Sequence, residues 1–149
     1  MDEMLGRWFR LREFVATRRR VDNTPPPWAV DNLRQLVAEV LDPLRDAVGA
    51  PVRVTSGFRS EQLNRLVRGE ETSQHLRGEA VDFKVDGLAA ADVVALILRL
   101  GLPFDQLIGY APERGGHVHV SWSGVGLRRS VLWAPLEGGY VAWASRGVA

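Results

Sequence analysis

Residues 105–110 and 117–122 both read as β-strands, and only six residues, 111–116, join them. Pro112, Gly115 and Gly116 mark that connection as a turn. Parallel strands need a crossover of a dozen or more residues, so these two must run antiparallel. Helix and strand patterns alternate along the rest of the chain, but this one short link argues against a doubly wound parallel sheet. The expected fold class is α+β, a small antiparallel sheet with flanking helices.

Spacing predicts the other elements. Leu5, Trp8, Phe9, Leu11 and Phe14 suit a turn or two of amphipathic helix ahead of the solvated run Arg18, Arg19, Arg20. Beyond Pro25, Pro26 and Pro27, the residues Leu33, Leu36, Val37, Val40, Leu41 and Leu44 recur at three- and four-residue steps. They predict a helix over 28–48, kinked or shortened at Pro43 and stopped by Gly49. A strand over 51–55 leads into Ser56-Gly57-Phe58, and Ser60 caps a short helix carrying Leu63 and Leu66. Residues 69–78 are polar and predict a surface loop, followed by a strand over 80–85 and a helix over 89–100 that ends at Gly101. A terminal hairpin is expected around Gly138 and Gly139. The 149 residues fit one domain with a helical segment (1–49), a core holding every histidine (50–123) and a C-terminal extension (124–149).

Composition then narrows the chemistry. The chain has no cysteine, which excludes disulfide frameworks, thiolate metal sites and cysteine nucleophiles, so a metal would have to be held by His, Asp or Glu. A net charge of +1 gives no bulk reason to bind nucleic acid. No stretch reaches the roughly 18 apolar residues of a membrane span, so no membrane insertion is expected. Asp2 and Glu3 and the lack of an apolar run behind them argue against a signal peptide. The expected product is a monomer made in the cytoplasm.

All three histidines fall in two short segments, SQHLRGEAVDF and GGHVHVSW. Period-two alternation puts Val81, Phe83 and Val85 toward the core and Ala80, Asp82 and Lys84 on the other face, where the small Ala80 leaves space. In the second strand Val118, Val120 and Trp122 take the core side and His117, His119 and Ser121 the opposite one. If these strands are neighbours, Asp82 and His119 converge, and His75 can fold back over them from its loop. Two imidazoles and one carboxylate form a set suited to Zn²⁺ with a fourth position open.

Ser73-Gln74-His75-Leu76-Arg77-Gly78-Glu79-Ala80-Val81-Asp82 resembles the S-x-H-x-x-G-x-A-x-D signature of zinc D-alanyl-D-alanine carboxypeptidases. Vancomycin-resistance dipeptidases and phage L-alanyl-D-glutamate endopeptidases share it. His117-Val118-His119 is similar to their second signature, and Ser56-Gly57-Phe58-Arg59-Ser60 with Leu63-Asn64 to a further segment of the compact members. The resemblance spans residues 52–122 and implies a hedgehog/DD-peptidase-like fold. It also implies Zn²⁺ held by His75, Asp82 and His119, with Arg59 on a substrate carboxylate or carbonyl and Ser73 as a polar substrate contact. Many relatives carry an acid three residues before the last ligand, where this chain has Gly116. Glu113, six residues before His119, matches the spacing of the hedgehog zinc site and is expected to be the general base. His117 is expected to orient water or stabilise the oxyanion.

The function these features imply is hydrolysis of a bond in the peptidoglycan stem peptide, either at a D-alanyl-D-alanine end or at an internal L-alanyl-D-glutamate bond. A compact chain of this kind resembles phage lysis and tail-associated peptidases, which reach the wall by release or on the virion. The alternative is a weakly active or inactive zinc-bearing module that binds cell wall or a protein partner, a reading motivated by Gly116.

Overall fold

A computed structural model describes residues 2–146. Six strands, β1 (Val52–Ser56), β2 (Ala80–Val85), β3 (Gln106–Tyr110), β4 (Val118–Ser121), β5 (Ser130–Ala134) and β6 (Val141–Ala142), form one sheet in the order β1-β2-β4-β3-β5-β6. The short link makes β3 and β4 antiparallel, β2 pairs antiparallel with β4, and β1 antiparallel with β2. The class is therefore α+β, with one departure from an all-antiparallel sheet. β5 lies parallel to β3, from Gln106 opposite Ser130 to Tyr110 opposite Ala134. One edge of β3 is already taken by β4, and a chain that has reversed twice reaches the free edge running in the sense of β3. β6 then turns back antiparallel on β5 as the expected hairpin, with Gly138 (φ 100°) and Gly139 (φ 68°) supplying the left-handed turn.

Five helices flank the sheet: α1 (Leu11–Val15), α2 (Pro27–Leu36), α3 (Asp42–Val48), α4 (Glu61–Leu66) and α5 (Ala90–Arg99). The helix does not end at Pro43. α2 and α3 are continuous through a π turn, Val37–Leu41, in which the Asp42 N–H donates to the Val37 carbonyl. A proline ring crowds the carbonyl four residues back, and the wider turn relieves that clash without breaking the helix. Gly49 (φ 62°) ends it as expected. α1 begins only at Leu11, because the segment before it is claimed by tertiary contacts: Met4 bridges Arg10, and the Arg7 N–H donates to Asp42 Oδ2 at 2.8 Å.

Val81, Phe83, Leu107, Val118 and Val120 of the sheet share one core with Val93, Val94 and Ile97 of α5 and Leu33, Leu36, Val40 and Leu44 of the α2–α3 helix. Burial of each large side chain stabilises by roughly 1.5–3 kcal/mol, and a one-residue slip of β2 or β4 would forfeit several at once. The register is therefore firmly set, and so is what lies on the other face. There Ser56, Asp82, His119 and Ile108 stand opposite one another in a row across β1, β2, β4 and β3. Ala80, expected to leave open space beside Asp82, is fully buried.

Candidate metal centre

The polar segment 69–78 does not lie wholly on the surface. It folds a 3₁₀ turn, Gln74–Arg77, that tucks His75 inside at 2% exposure. The Ser73 hydroxyl caps this turn by accepting from the His75 N–H at 3.2 Å. Gly78 closes it at φ 70° with the Ala29 carbonyl packed against its Cα, where a side chain would collide, and Asn32 Nδ2 donates to the Arg77 carbonyl at 2.9 Å. The His75 ring is oriented by a second contact, Nδ1 donating to the Gly57 carbonyl at 2.7 Å. A carbonyl only accepts, so the ring proton sits on Nδ1 and the lone pair on Nε2. That Nε2 is buried and has no hydrogen-bond partner.

Asp82 and His119 are direct register partners on β2 and β4, and His119 Nδ1 lies 2.8 Å from Asp82 Oδ1. The orphaned His75 Nε2 lies 3.5 Å from Asp82 Oδ2. His75, Asp82 and His119 each offer one ligand atom, all within 4.8 Å of one another. Zinc bonds of about 2.0–2.2 Å in a tetrahedron place neighbouring ligand atoms roughly 3.3 Å apart, a spacing the two Asp82 contacts bracket. Leaving a buried nitrogen unpaired costs about 1–3 kcal/mol, which a metal bond would more than offset. Burial alone would raise the Asp82 carboxyl, but the hydrogen bond with His119 and the closeness of both imidazoles outweigh it and hold the group well below the usual carboxylate range, ionised as a ligand must be. The residues present fit a divalent metal.

This triad opens into a cleft of about 930 Å³. Arg59 forms one wall: its N–H donates to the His75 carbonyl at 3.0 Å, and its Nη1 donates to Asn64 Oδ1 at 2.8 Å. Buried Asn64 is itself held by Nδ2 donating to the Glu70 carbonyl at 2.9 Å. Burial pushes the Arg59 guanidinium down, nearby Asp82 and Tyr110 counteract this, and the group stays charged. No carboxylate forms an ion pair with it among the described residues. The opposite wall is the β4–β5 loop, where Arg128 grips buried Asp105 by Nε and Nη2, each at 2.9 Å, and by its backbone N–H at 2.7 Å.

A cleft with His-Asp-His at its floor agrees with what comparison finds. The model of the family described as peptidase M15 matches residues 9–121. The chain belongs to the peptidase M15 family. Over 77 residues it is 34% identical to the peptidoglycan L,D-endopeptidase MepK of Escherichia coli K12, and equally to that of Shigella flexneri. Each alignment covers 47% of this chain and 39% of the relative, so the chain spans about two fifths of the length of the curated proteins it matches.

Every site residue expected from the sequence lies inside the M15 match, but they are not all brought together. His75, Asp82, His119, Arg59 and Ser73 share the cleft. Ser73 spends its oxygen on the His75 N–H, leaving its hydroxyl proton for the cleft. Glu113 sits exposed in the 3₁₀ turn Pro112–Arg114 and is not part of the cleft wall. The general-base expectation for Glu113 thus has no geometric support: Pro112 and the left-handed Gly115 (φ 108°) and Gly116 (φ 66°) fold that turn so that the carboxylate meets water. His117 stacks flat on Tyr110, ring centroids 4.1 Å apart, and burial pushes its imidazole below the usual histidine range. Sequence reasoning missed Tyr110, Tyr140, Asp105 and Arg128, which line the cleft. Tyr140 and Arg128 lie beyond the M15 match, where no motif marks them.

Proposed function

We propose that the chain is a zinc-dependent peptidase that hydrolyses a bond in the stem peptide of bacterial peptidoglycan. The observation that carries this reading is the buried, unpartnered His75 Nε2 aimed at Asp82 and His119 on the floor of the cleft. His75, Asp82 and His119 would hold the ion, which when bound acts as a Lewis acid on the scissile carbonyl and acidifies water. Arg59, charged and without a carboxylate partner, takes an oxygen of the substrate and fixes its direction in the cleft. His117, just ahead of β4, is like Glu113 not part of the cleft lining, but it is half-buried and stacked on the cleft residue Tyr110, and we assign to it the proton taken from the attacking water and delivered to the leaving amine. The Asp105–Arg128 clamp keeps the far wall in place. The named activity of the Escherichia coli relative supports the substrate class.

The test is mass spectrometry of muropeptides after incubation with zinc-loaded protein, beside an EDTA-treated sample and His75→Ala. Release of D-alanine, or fragments cut after L-alanine, in the zinc-loaded wild type alone is the expected result and names the bond. A second reading, a wall-binding module, is favoured by the solvent-facing Glu113. It gains if one zinc binds and no bond is cut in any wall chemistry.

A further inference from the structure

The family match ends at residue 121, yet the cleft continues past it. Tyr140, at the end of the β5–β6 turn, forms part of the wall beside Tyr110. The two hydroxyls are 3.1 Å apart, and the rings meet edge to face with planes at 86°. β6 is only two residues long and would hold this turn weakly. Arg114, from the β3–β4 turn, provides the missing anchor. Its Nη1 donates to the Gly139 carbonyl at 2.6 Å and to the Pro135 carbonyl at 3.2 Å. Its guanidinium also lies over both tyrosine rings, 5.6 Å from Tyr110 and 5.4 Å from Tyr140. Tyr110 is braced from behind by His117. A connected series of contacts therefore runs from the strand of His119 through His117 and Tyr110 to Tyr140.

The hydroxyl count of this pair is informative. Each tyrosine carries one O–H donor and can also accept. Whichever of the two donates to the other, one O–H is left over, and neither oxygen has another partner among the described residues. Tyr140 is 52% exposed and lines the cleft, so with Tyr110 donating to it the spare Tyr140 O–H opens onto the cleft rather than into the core. It is a neutral donor, while the unpaired positive charge of the cleft sits on Arg59. A neutral donor suits a neutral acceptor, and in a peptide that acceptor is a backbone carbonyl.

We propose that Tyr140 is a substrate-binding residue: it accepts a hydrogen bond from the Tyr110 hydroxyl and donates its own O–H to a backbone carbonyl of the bound peptide, on a post that Arg114 holds in position. The proposal rests on the peptidase reading and adds to it a residue from outside the M15 match.

The test compares zinc-loaded wild type, Tyr140→Phe and Arg114→Gln on the stem peptide, measuring kcat, KM and thermal unfolding. Phenylalanine keeps the ring, its edge contact with Tyr110 and its place beneath Arg114, and removes only the oxygen. Expected for Tyr140→Phe is a KM raised about three- to tenfold, the loss of one neutral hydrogen bond, with kcat and melting temperature little changed. Arg114→Gln is expected to raise KM in the same direction by freeing the post. If wild type cleaves and Tyr140→Phe has the same KM, the proposal falls and the peptidase reading stands. The proposal also falls if Tyr140→Phe lowers the melting temperature and kcat together, which would make the residue merely structural. If wild type cleaves no stem peptide, both fall together.

Discussion

Gly57 carries two duties at one atom spacing, and replacing it with alanine separates them. A Cβ at position 57 would stand 2.5 Å from the Phe14 carbonyl oxygen and 2.7 Å from the Phe14 Cα, against an ordinary contact distance of 3.4 Å or more. Both are backbone atoms, so no rotamer change relieves the clash, and the strand end must move by about 0.9 Å. The Phe58 N–H to Phe14 carbonyl bond at 2.7 Å resists that movement. Overpacking of this kind costs about 1–3 kcal/mol, or roughly 3–9 °C in melting temperature for a chain of this size. The same movement acts on the metal centre, because the Gly57 carbonyl holds His75 Nδ1 at 2.7 Å. Displaced along that bond, the contact opens to about 3.6 Å and ceases to be a hydrogen bond. Losing the group that orients a metal-binding histidine lowers metal affinity by about 10- to 100-fold. Thermal unfolding without metal measures the first effect, and zinc competition against a chromogenic chelator the second. Gly126→Ala is the control, since nothing lies within 4 Å of its Cβ position. Wild-type zinc affinity in a destabilised Gly57→Ala would refute the orienting role of the carbonyl, and unchanged stability would refute the packing argument itself.

Further outcomes follow from the same geometry. Arg59→Gln should raise KM by about 10- to 100-fold, the loss of a charge-assisted hydrogen bond, with zinc affinity unchanged. Glu113→Gln should leave kcat within about threefold, whereas His117→Ala should lower it by about 10²- to 10⁴-fold if His117 carries the proton. Asp105→Asn should flatten the acid limb of the stability curve. Hydrogen bonds from Arg128 hold the Asp105 carboxyl below its ordinary range, so its contribution is complete above the unfolded value of about 3.9 and disappears as pH falls through the lower folded one. Denaturant melts of wild type and variant should differ by about 1–2 kcal/mol at pH 7 and converge in acid.

Some of this molecule is legible along the chain and some is not, for identifiable reasons. Asp82 opposite His119 follows from two period-two strands and a link too short for a crossover, because burial of Val81, Phe83, Val118 and Val120 permits only one register. The helix through Leu33 and Leu44 is equally plain. The parallel docking of β5 is not, since Val131 and Trp133 would alternate identically on either edge of the sheet. Nor is the burial of His75, whose neighbours are polar and read as surface; the Gly57 carbonyl that draws it in lies eighteen residues away. Glu113 shows the limit of spacing as evidence, because six residues along a chain do not determine whether a turn faces the cleft or water. Tyr140 and Arg128 depend on contacts with residues more than twenty positions distant, and nothing local signals them.

The strand order has a consequence for how the molecule breathes. β2 and β4 are interior strands, while the sheet is bounded by β1 and by the two-residue β6. Sheets open from their margins, where amides lack a second neighbour. On one margin β1 is backed by α1, with the Phe58 N–H tied to Phe14 and Asn23 Nδ2 bonded to the carbonyls of Val15 and Phe58. On the other, three strands separate His119 from solvent. The hairpin bearing Tyr140 therefore depends on Arg114 more than on the sheet to stay in place, and its amides are expected to exchange before those of β2 and β4, the interior strands that carry Asp82 and His119.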